Sequence, residues 1–426
     1  MSDELTFNRR NFLAGMTALA IGFRDQTLQG LEKLKPEEGA PDNEEFWLRV
    51  RNEFQIDKDL IALNNVGVSP SPKRIIELQA KLQREANLDP SYIMWRKQDK
   101  ELEAVRESLA KLVGCKPTEL ALTANASFGL QTTISGFQMD PGDEILTTNH
   151  DYPRTITAIQ QRERRERIKM VQIELPPRPI EPHEWANLIE SHITPRTRLV
   201  CLCRINYLNG QIVPLPEIKK ILQPKNIILM ADCAQSIGLL PDTFQALGDN
   251  IYLASLHKWM MGPIPTGVFA VREDLIHRIW PLHPADADLD DNITKFEQIG
   301  THSSAPMLSM KEGIEFHHWI GLERKSARVA HLRGLLAKGL AEAQGARHYS
   351  HLGENMGHGM YAVGFDKVPS AQLAGWLLQK HNIHVTTSTR NGFDGIRISP
   401  SIFSATRDIE LLTSILVKVS RDGLPS

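Results

Sequence analysis

Short apolar runs alternate along the chain with longer segments whose apolar residues recur at helical spacing. Continuous apolar strands are typical of a parallel sheet that is buried on both faces. We therefore predict an α/β fold: a mostly parallel, seven-stranded sheet with helices packed on both of its faces. The predicted strands lie at residues 120–123, 144–147, 169–173, 198–203, 227–231, 251–254 and 268–271.

The pattern changes after about residue 301, where a long helical repeat is followed by short strands and two further helices. This order predicts a small α+β domain at residues 306–426, after a large domain at residues 60–305. We expect residues 31–59 to form a linker and an N-terminal segment that packs on the small domain. In the small domain, strands are predicted at 360–365, 384–387 and 396–398.

The first 30 residues have the features of a targeting segment. Arg9 and Arg10 precede Phe12, Leu13 and a short, mildly apolar run. This order resembles a twin-arginine export signal, and the run is too short to span a membrane as a helix. We therefore predict recognition by the twin-arginine export machinery and a periplasmic location. A non-functional segment would leave the protein in the cytoplasm.

The charge composition excludes some partners. The chain has 49 basic and 51 acidic residues and a formal net charge of -2, so no nucleic-acid partner is expected. Its four cysteines are interpreted as small, buried apolar side chains. We predict no metal site, because three histidines near the C-terminal strands are irregularly spaced. We expect those three to lie along an exposed strand edge or loop; they are His348, His351 and His358.

Two residues that follow neighbouring apolar runs carry the main chemical signal. Asp232 follows the run NIILMA, and Lys258 follows IYLASLH. A lysine there can form a Schiff base with an aldehyde cofactor, and an aspartate can keep a pyridine nitrogen protonated. Both are requirements of pyridoxal 5′-phosphate chemistry. The alternatives are a helix N-cap for Asp232 and a solvated surface position for Lys258.

Other polar residues after strand ends complete a candidate cofactor site. Ser255 and His257 flank the lysine with phosphate-binding groups. Ala126 and Ser127 stand where a helix begins, so their backbone N–H groups can bind an anion. The groups expected at the ring hydroxyl are Gln235 and Asn206, with Tyr207 next to the latter.

Three further residues are candidates, two for stacking on the cofactor and one for binding the substrate. Tyr152 is the preferred ring to stack on the cofactor, and His150 is the second choice. Arg397 lies within an apolar strand, where an arginine needs a carboxylate partner. It is either part of an internal salt bridge or, as we favour, a clamp for a substrate carboxylate.

Taken together, these motifs resemble the class V aminotransferase family of pyridoxal phosphate enzymes, which have fold type I. Within that family the chain looks most like the isopenicillin N epimerase-like branch. The resemblance implies a homodimer in which Gly300 and Thr301 reach the phosphate bound by the neighbouring subunit. The matching motifs are NAS (125–127), DYP (151–153), DCAQ (232–235), SLHK (255–258), GPIPTG (262–267), IGTHS (299–303) and IRIS (396–399).

The expected function is pyridoxal phosphate chemistry at the α-carbon of an amino acid or a peptide-like metabolite. Transamination, epimerisation, elimination and decarboxylation-linked chemistry all remain open, because they share their first steps. Cysteine desulfurase activity is not expected, since no cysteine follows Cys233. Export would favour the tailoring of a secreted secondary metabolite such as a siderophore. The alternative is a cofactor-binding or interaction protein without turnover, in which damage to Lys258 or Asp232 would be expected.

Overall fold

The computed structural model describes residues 39–248, 250–353 and 356–425. The predicted export signal lies outside these residues, as does the start of the predicted linker. The strands are β1 (Ile61–Ala62), β2 (Leu120–Thr123), β3 (Glu144–Thr148), β4 (Lys169–Ile173), β5 (Thr197–Cys203), β6 (Ile228–Asp232), β7 (Ile251–Ser255), β8 (Gly267–Val271), β9 (Ala346–His348), β10 (Tyr361–Phe365), β11 (Ile383–His384), β12 (Thr386–Ser388) and β13 (Gly395–Ile398).

Helices separate most of these strands. The α-helices are α1 (Glu44–Arg51), α2 (Lys73–Ala86), α3 (Pro90–Ile93), α4 (Asp99–Val113), α5 (Ala126–Gly136), α6 (Pro153–Glu166), α7 (Pro182–His192), α8 (Leu215–Leu222), α9 (Phe244–Leu247), α10 (Glu273–Ile276), α11 (Ala305–Ile320), α12 (Leu322–Leu340), α13 (Ser370–His381) and α14 (Thr406–Asp422). A π-helical stretch, Met94–Gln98, joins α3 to α4. None of the described helices is long and apolar enough to cross a membrane.

The large domain is built on a seven-stranded sheet with the order β2-β8-β7-β6-β5-β3-β4. Strand β8 is antiparallel to both of its neighbours, and the other neighbouring pairs are parallel. The predicted sheet is therefore confirmed, with each strand within one residue of its expected bounds. Continuous apolar runs located these strands well because both faces of the sheet are buried.

Alternate residues of each central strand enter two separate apolar layers. On β5, Leu199 and Cys201 pack in one layer, whereas Val200 and Leu202 pack in the other. Helices on the two faces supply the rest of both layers. Full burial of one aliphatic side chain contributes about 1.5–3 kcal/mol, so this double core holds the strand ends in a fixed arrangement.

The small domain contains an antiparallel sheet with the order β12-β13-β10-β9 and a two-stranded parallel pair, β1 and β11. Ile61 of β1 pairs with Ile383 of β11, so the chain contacts the small domain just before it enters the large one. The predicted single strand at 384–387 was wrong. The chain changes partners at Val385, which is buried in the small-domain core, because β11 pairs with β1 and β12 pairs with β13.

The first helix of the described residues, α1, lies against the later part of the chain. Phe46 and Trp47 are buried in an apolar cluster with Phe316 of α11. The Glu44 carboxylate accepts hydrogen bonds from Arg328 at 2.5 Å and from the backbone N–H of Thr406 at 3.0 Å. This helix is therefore anchored to both α12 and α14.

The three C-terminal histidines do not share an exposed position. His348 lies half-buried on the edge strand β9, and His351 lies in the following loop. His358 is buried and its Nε2 lies 2.7 Å from the Ser326 hydroxyl, so the expectation of exposure was wrong for this residue. Within the described ranges, no group of three or more His, Cys, Asp or Glu side chains could hold a metal ion.

Candidate active site

The candidate residues of the large domain meet at one edge of the sheet. Strands β3, β5, β6 and β7 run parallel, so the loops after them leave from the same edge. Cys203 pairs with Asp232, and Asp232 pairs with Leu253, which fixes the relative heights of three of these strand ends. Such an edge is where α/β folds bind their ligands.

Asp232 is the last residue of β6 and its side chain is buried. One carboxylate oxygen accepts a hydrogen bond from the backbone N–H of Ala234 at 3.0 Å. Burial raises the pKa of Asp232, and the positive charge of Lys258 opposes this effect. A buried carboxylate with so few donors can accept a proton-bearing ring nitrogen as a partner.

Lys258 lies three residues beyond the end of β7 and is largely enclosed. Burial lowers its pKa to about 8, against the attraction of Asp232; the positive charge of Arg397 lowers it further. A lysine of lowered pKa is neutral more often near pH 7 and is therefore a better nucleophile. The predicted alternative, a solvated surface lysine, does not describe this position.

The proposed phosphate-binding residues also converge. Helix α5 begins at Ala126. The backbone N–H of Ala126 donates to the hydroxyl of Ser255, the last residue of β7, at 3.0 Å. Ser127 is half-buried in the first turn of the helix. The ring of His257 is buried with Nδ1 3.1 Å from the carbonyl oxygen of Thr266. One of the predicted backbone donors, Ala126, thus already has a protein acceptor.

The two candidate stacking rings occupy different depths. His150 is buried, and burial lowers its pKa to about 4, so its imidazole is neutral. Its Nδ1 lies 3.3 Å from Asn206 Nδ2, whereas its buried Nε2 has no hydrogen-bond partner among the described residues. Tyr152 is 37% exposed and meets the Tyr207 ring edge-on at 6.0 Å. His150, the second choice for stacking, is therefore more deeply buried than Tyr152, the preferred ring.

Asp151, between these two rings, has a role that the sequence did not reveal. It is buried, and its carboxylate accepts hydrogen bonds from the backbone N–H of Cys203 at 2.7 Å and of Thr148 at 2.9 Å. The Thr147 hydroxyl also donates to it, at 3.0 Å. These bonds join the ends of β3 and β5 and so place the loop that carries His150.

Gln235 is held by two protein partners. Its side-chain amide donates to the carbonyl oxygen of Val66 at 3.0 Å and accepts from the indole N–H of Trp259 at 2.9 Å. An amide carries two N–H donors, so one remains for the predicted contact with a ring hydroxyl. Gln235 thereby connects the loop after β6 to the residue directly after Lys258.

Arg397 lies on β13 of the small domain and reaches the large domain. Its guanidinium donates to the carbonyl oxygen of Tyr207 at 2.7 Å and to the Asn64 side chain at 3.3 Å. Burial lowers its pKa to about 10, and its buried Nε has no hydrogen-bond partner in the described chain. The ion pairs among the described residues include none with Arg397. Of the two predicted alternatives, the internal salt bridge is therefore not formed.

Gly300 and Thr301 do not join this group in the single chain. Both are exposed in the loop before α11, and Gly300 has a φ of 78°, which glycine adopts readily. No described hydrogen bond links either residue to the residues around Lys258.

The residues at this edge fit pyridoxal phosphate. A buried carboxylate is available for a pyridinium nitrogen, a largely enclosed lysine for an aldehyde, and a helix N-terminus with adjacent hydroxyls for a phosphate. The unpartnered polar atoms of His150 and Arg397 are further groups that a bound molecule could satisfy. Fold and site together define a pyridoxal phosphate enzyme of fold type I.

The chain belongs to the aminotransferase class-V family, whose model matches residues 61–412. This confirms the predicted family and its cofactor, pyridoxal 5′-phosphate. Isopenicillin N epimerase from Streptomyces clavuligerus is 23% identical over 87% of this chain and 97% of its own. Its counterpart from Amycolatopsis lactamdurans is 22% identical over 88% and 99%. These two relatives support the predicted isopenicillin N epimerase-like branch.

Solved structures share the fold. The apo cysteine desulfurase from Thermococcus onnurineus NA1 superimposes with a TM-score of 0.77 at 21% identity, over 88% of this chain and 98% of its own. A C-DES variant, solved with glycine covalently linked to its pyridoxal phosphate cofactor, has a TM-score of 0.77 at 20% identity, over 86% and 98%. At these identities the likeness establishes fold type I alone.

Proposed function

We propose that this protein is a pyridoxal phosphate enzyme that acts at the α-carbon of an amino acid or of a peptide-like metabolite with a free α-amino and α-carboxylate group. The observation that carries this proposal is Arg397, a mostly buried guanidinium near Lys258 with no acidic partner among the described residues. A buried cation without a carboxylate is costly unless a ligand supplies one. An amino group at Lys258 and a carboxylate at Arg397 together select an α-amino acid.

Each proposed role follows from a local environment. The bound cofactor would supply an aldehyde for covalent capture of an amino group and a ring that withdraws electrons from the α-carbon. Asp232 would hold a proton at the ring nitrogen, because its carboxylate is buried and accepts only one described hydrogen bond. Lys258, with its pKa lowered to about 8, would move the proton at the substrate α-carbon. Arg397 would orient the substrate through its carboxylate.

The phosphate would be held by the first turn of α5, with Ser127, Ser255 and His257. The neutral His150 and the partly exposed Tyr152 are the candidates for stacking, with Tyr152 kept as the predicted ring. His150 gains support from its burial and from its unpartnered Nε2. Asn206 and Gln235 are the proposed contacts of the ring hydroxyl.

Several reactions at the α-carbon would use these same residues. Racemisation or epimerisation fits the similarity to isopenicillin N epimerases, while transamination and elimination use the same residues. Relatives also include a probable cysteine desulfurase from Methanothermobacter thermautotrophicus, 23% identical over 65% of this chain. We do not propose that activity, because a sulfur-accepting cysteine is missing from the C-terminal part: none follows Cys233.

Location and assembly complete the proposal. Export through the twin-arginine segment would place the enzyme in the periplasm and favour a tailoring step on a secreted metabolite such as a siderophore. A homodimer would bring Gly300 and Thr301 of one subunit to the phosphate of the other; their exposure in the single chain is compatible with this. The competing function is a cofactor-binding protein without turnover.

The decisive experiment combines absorbance with mass spectrometry. The purified protein should show a visible absorbance band that is lost on borohydride reduction, with the cofactor then attached to the peptide containing Lys258. A panel of amino acids and N-terminal glutamyl or alanyl peptides, incubated in D₂O, should identify a substrate by deuterium at its α-carbon. Deuterated amino acid of inverted configuration indicates epimerisation, and an oxo acid indicates transamination. A protein that stays colourless with added pyridoxal phosphate would refute the proposal.

A further inference from the structure

Lys325, in the first turns of α12, is a buried lysine whose partners lie next to the reactive lysine. The residue is only 2% exposed. Its ammonium donates to the backbone carbonyl of Trp259 at 2.7 Å and lies 2.9 Å from Nδ1 of His317. Within the described ranges, no carboxylate forms an ion pair with it. Trp259 is the residue that directly follows Lys258.

The groups around Lys325 leave its charge unbalanced. Burial lowers the pKa of Lys325 to about 7. Burial, and then the charge of Lys325, lower the pKa of His317 to about 2; the neighbouring His318 adds to this effect. The imidazole of His317 is therefore neutral and accepts a hydrogen bond from Lys325. An apolar side chain of similar volume would stabilise this interior as well or better. Fold stability alone thus does not account for a lysine here.

Trp259 connects Lys325 to more than one active-site element. Its backbone carbonyl is bonded to Lys325, while its indole N–H donates to Gln235, in the loop after β6, at 2.9 Å. Gly238 of the same loop is also close: a Cβ atom there would lie 3.0 Å from the Lys325 ammonium and 3.1 Å from the Trp259 carbonyl. The turn after Lys258 is therefore enclosed between the loop after β6 and helix α12.

We infer that Lys325 is a positioning residue for Lys258: its side-chain amino group holds the carbonyl of Trp259, and with it the turn that carries Lys258, against helices α11 and α12. The inference rests on the proposed role of Lys258. Helices α11 and α12 then do more than pack, because they fix the position of the Lys258 amine relative to its ligand. No ligand contact is assigned to Lys325 itself.

The test uses the holoenzyme and the variant Lys325→Met, which removes the donor but keeps an unbranched side chain. Without the tether the turn gains freedom and solvent, which favours the charged form of the nitrogen at Lys258. The pH midpoint of the visible absorbance band should therefore move upward. The rate of cofactor release, measured by trapping free pyridoxal phosphate, should rise about tenfold, as for the loss of one buried hydrogen bond.

Arg333→Met is the matched control. Arg333 is a second cation of α12 that is 2% exposed, but it donates to the carbonyls of His351 and Met360, neither of which belongs to the turn after Lys258. Its loss should lower thermal stability and leave the absorbance midpoint and the release rate unchanged. If Lys325→Met does not accumulate as folded protein, Lys325→Gln, which keeps a shorter donor, is measured in its place and should show both changes to a smaller degree.

Other results contradict either the positioning role or the proposed function. A Lys325 variant with wild-type midpoint and release rate overturns the inference, and so does an Arg333→Met protein that shows the same two changes. A wild-type protein that never binds the cofactor contradicts the proposed function itself, before Lys325 is examined. A coloured wild type with an unaffected Lys325 variant contradicts the positioning role alone.

Discussion

Arg397 lies close enough to Lys258 for its positive charge to lower the pKa of the lysine, although the two residues are on different domains. The guanidinium is held in this place by the Tyr207 carbonyl and the Asn64 side chain, neither of which neutralises it. Lys258 and Arg397 thus place an amine and a cation without an acidic partner at the same ligand-binding edge of the large sheet. That is the arrangement an α-amino acid requires, with its amino group and its carboxylate held at separate points.

The first prediction concerns Arg397→Gln. Glutamine keeps a donor for the Tyr207 carbonyl but loses the charge, so we expect KM for the amino-acid substrate to rise about tenfold to hundredfold, with a smaller change in kcat. Steady-state kinetics and titration of the visible band with substrate would both report it. Arg347→Gln removes an exposed arginine from β9 of the same sheet and should leave KM unchanged. An unchanged KM in Arg397→Gln would exclude the clamp.

The second prediction concerns the two buried carboxylates, Asp232 and Asp151. Asp232→Asn cannot hold a ring nitrogen protonated, so kcat should fall about hundredfold or more while the fold is kept. Asp151→Asn loses an acceptor for the backbone N–H groups of Thr148 and Cys203 and should mainly lower thermal stability. The melting temperature from circular dichroism should fall more in Asp151→Asn, whereas kcat should fall more in Asp232→Asn. Equal losses of activity would contradict the separate roles.

Asp232 and Lys258 were predictable from sequence because each follows an apolar run that becomes a central strand of the sheet. Neighbouring parallel strands end at one edge, so two strand ends are sufficient to bring the residues together. The runs were recognisable since both faces of the sheet are buried. The small-domain strands were less clear, because the chain changes partner at Val385 within what reads as one run.

The contacts that decide the site's chemistry depend on distant segments and could not be predicted. Lys325 and Trp259 lie 66 positions apart, and nothing in the apolar repeat of α12 indicates that one of its lysines turns inward. The same is true of Arg397: its sequence context favoured a carboxylate partner without showing whether that partner was internal. Only the packing of β13 against Tyr207 and Asn64 distinguishes the two alternatives.

The third prediction concerns pH and stability. Because the pKa of Lys325 is lowered to about 7 in the folded protein, the unfolded chain binds more protons at this residue above that pH. The free energy of unfolding should therefore rise with pH from about 7 towards the ordinary lysine pKa of 10.5. Urea denaturation over this range should show the free energy of unfolding of the wild type rising with pH relative to that of Lys325→Met. A constant difference would mean that Lys325 keeps an ordinary pKa in the fold.

The fourth prediction concerns export. Arg9→Lys together with Arg10→Lys should retain the protein in the cytoplasm, since twin-arginine recognition depends on the arginine pair. Cell fractionation, with the visible band as a marker of folded holoenzyme, would measure it. Arg24→Lys lies beyond the apolar run and serves as the control. Identical fractionation of all three proteins would remove the export hypothesis.

The last prediction tests the proposed homodimer through Thr301. If Thr301 of one subunit binds the phosphate at the other subunit's Lys258, then Lys258→Ala and Thr301→Val affect different halves of each site. Unfolding and refolding the two variants together should form heterodimers in which one site has both an intact Lys258 and an intact Thr301.

Activity of the mixture should therefore exceed that of either variant alone by an amount that follows the heterodimer fraction. The control is a mixture of Lys258→Ala and Arg397→Gln, two residues that we expect one chain to contribute to the same site. In those heterodimers each site keeps one defect, so no activity should be gained. Since Lys258→Ala removes the reactive amine, any gain must come from sites on the other chain. A Thr301 mixture that shows no more activity than its components would place Thr301 in the same subunit's site or outside the site altogether.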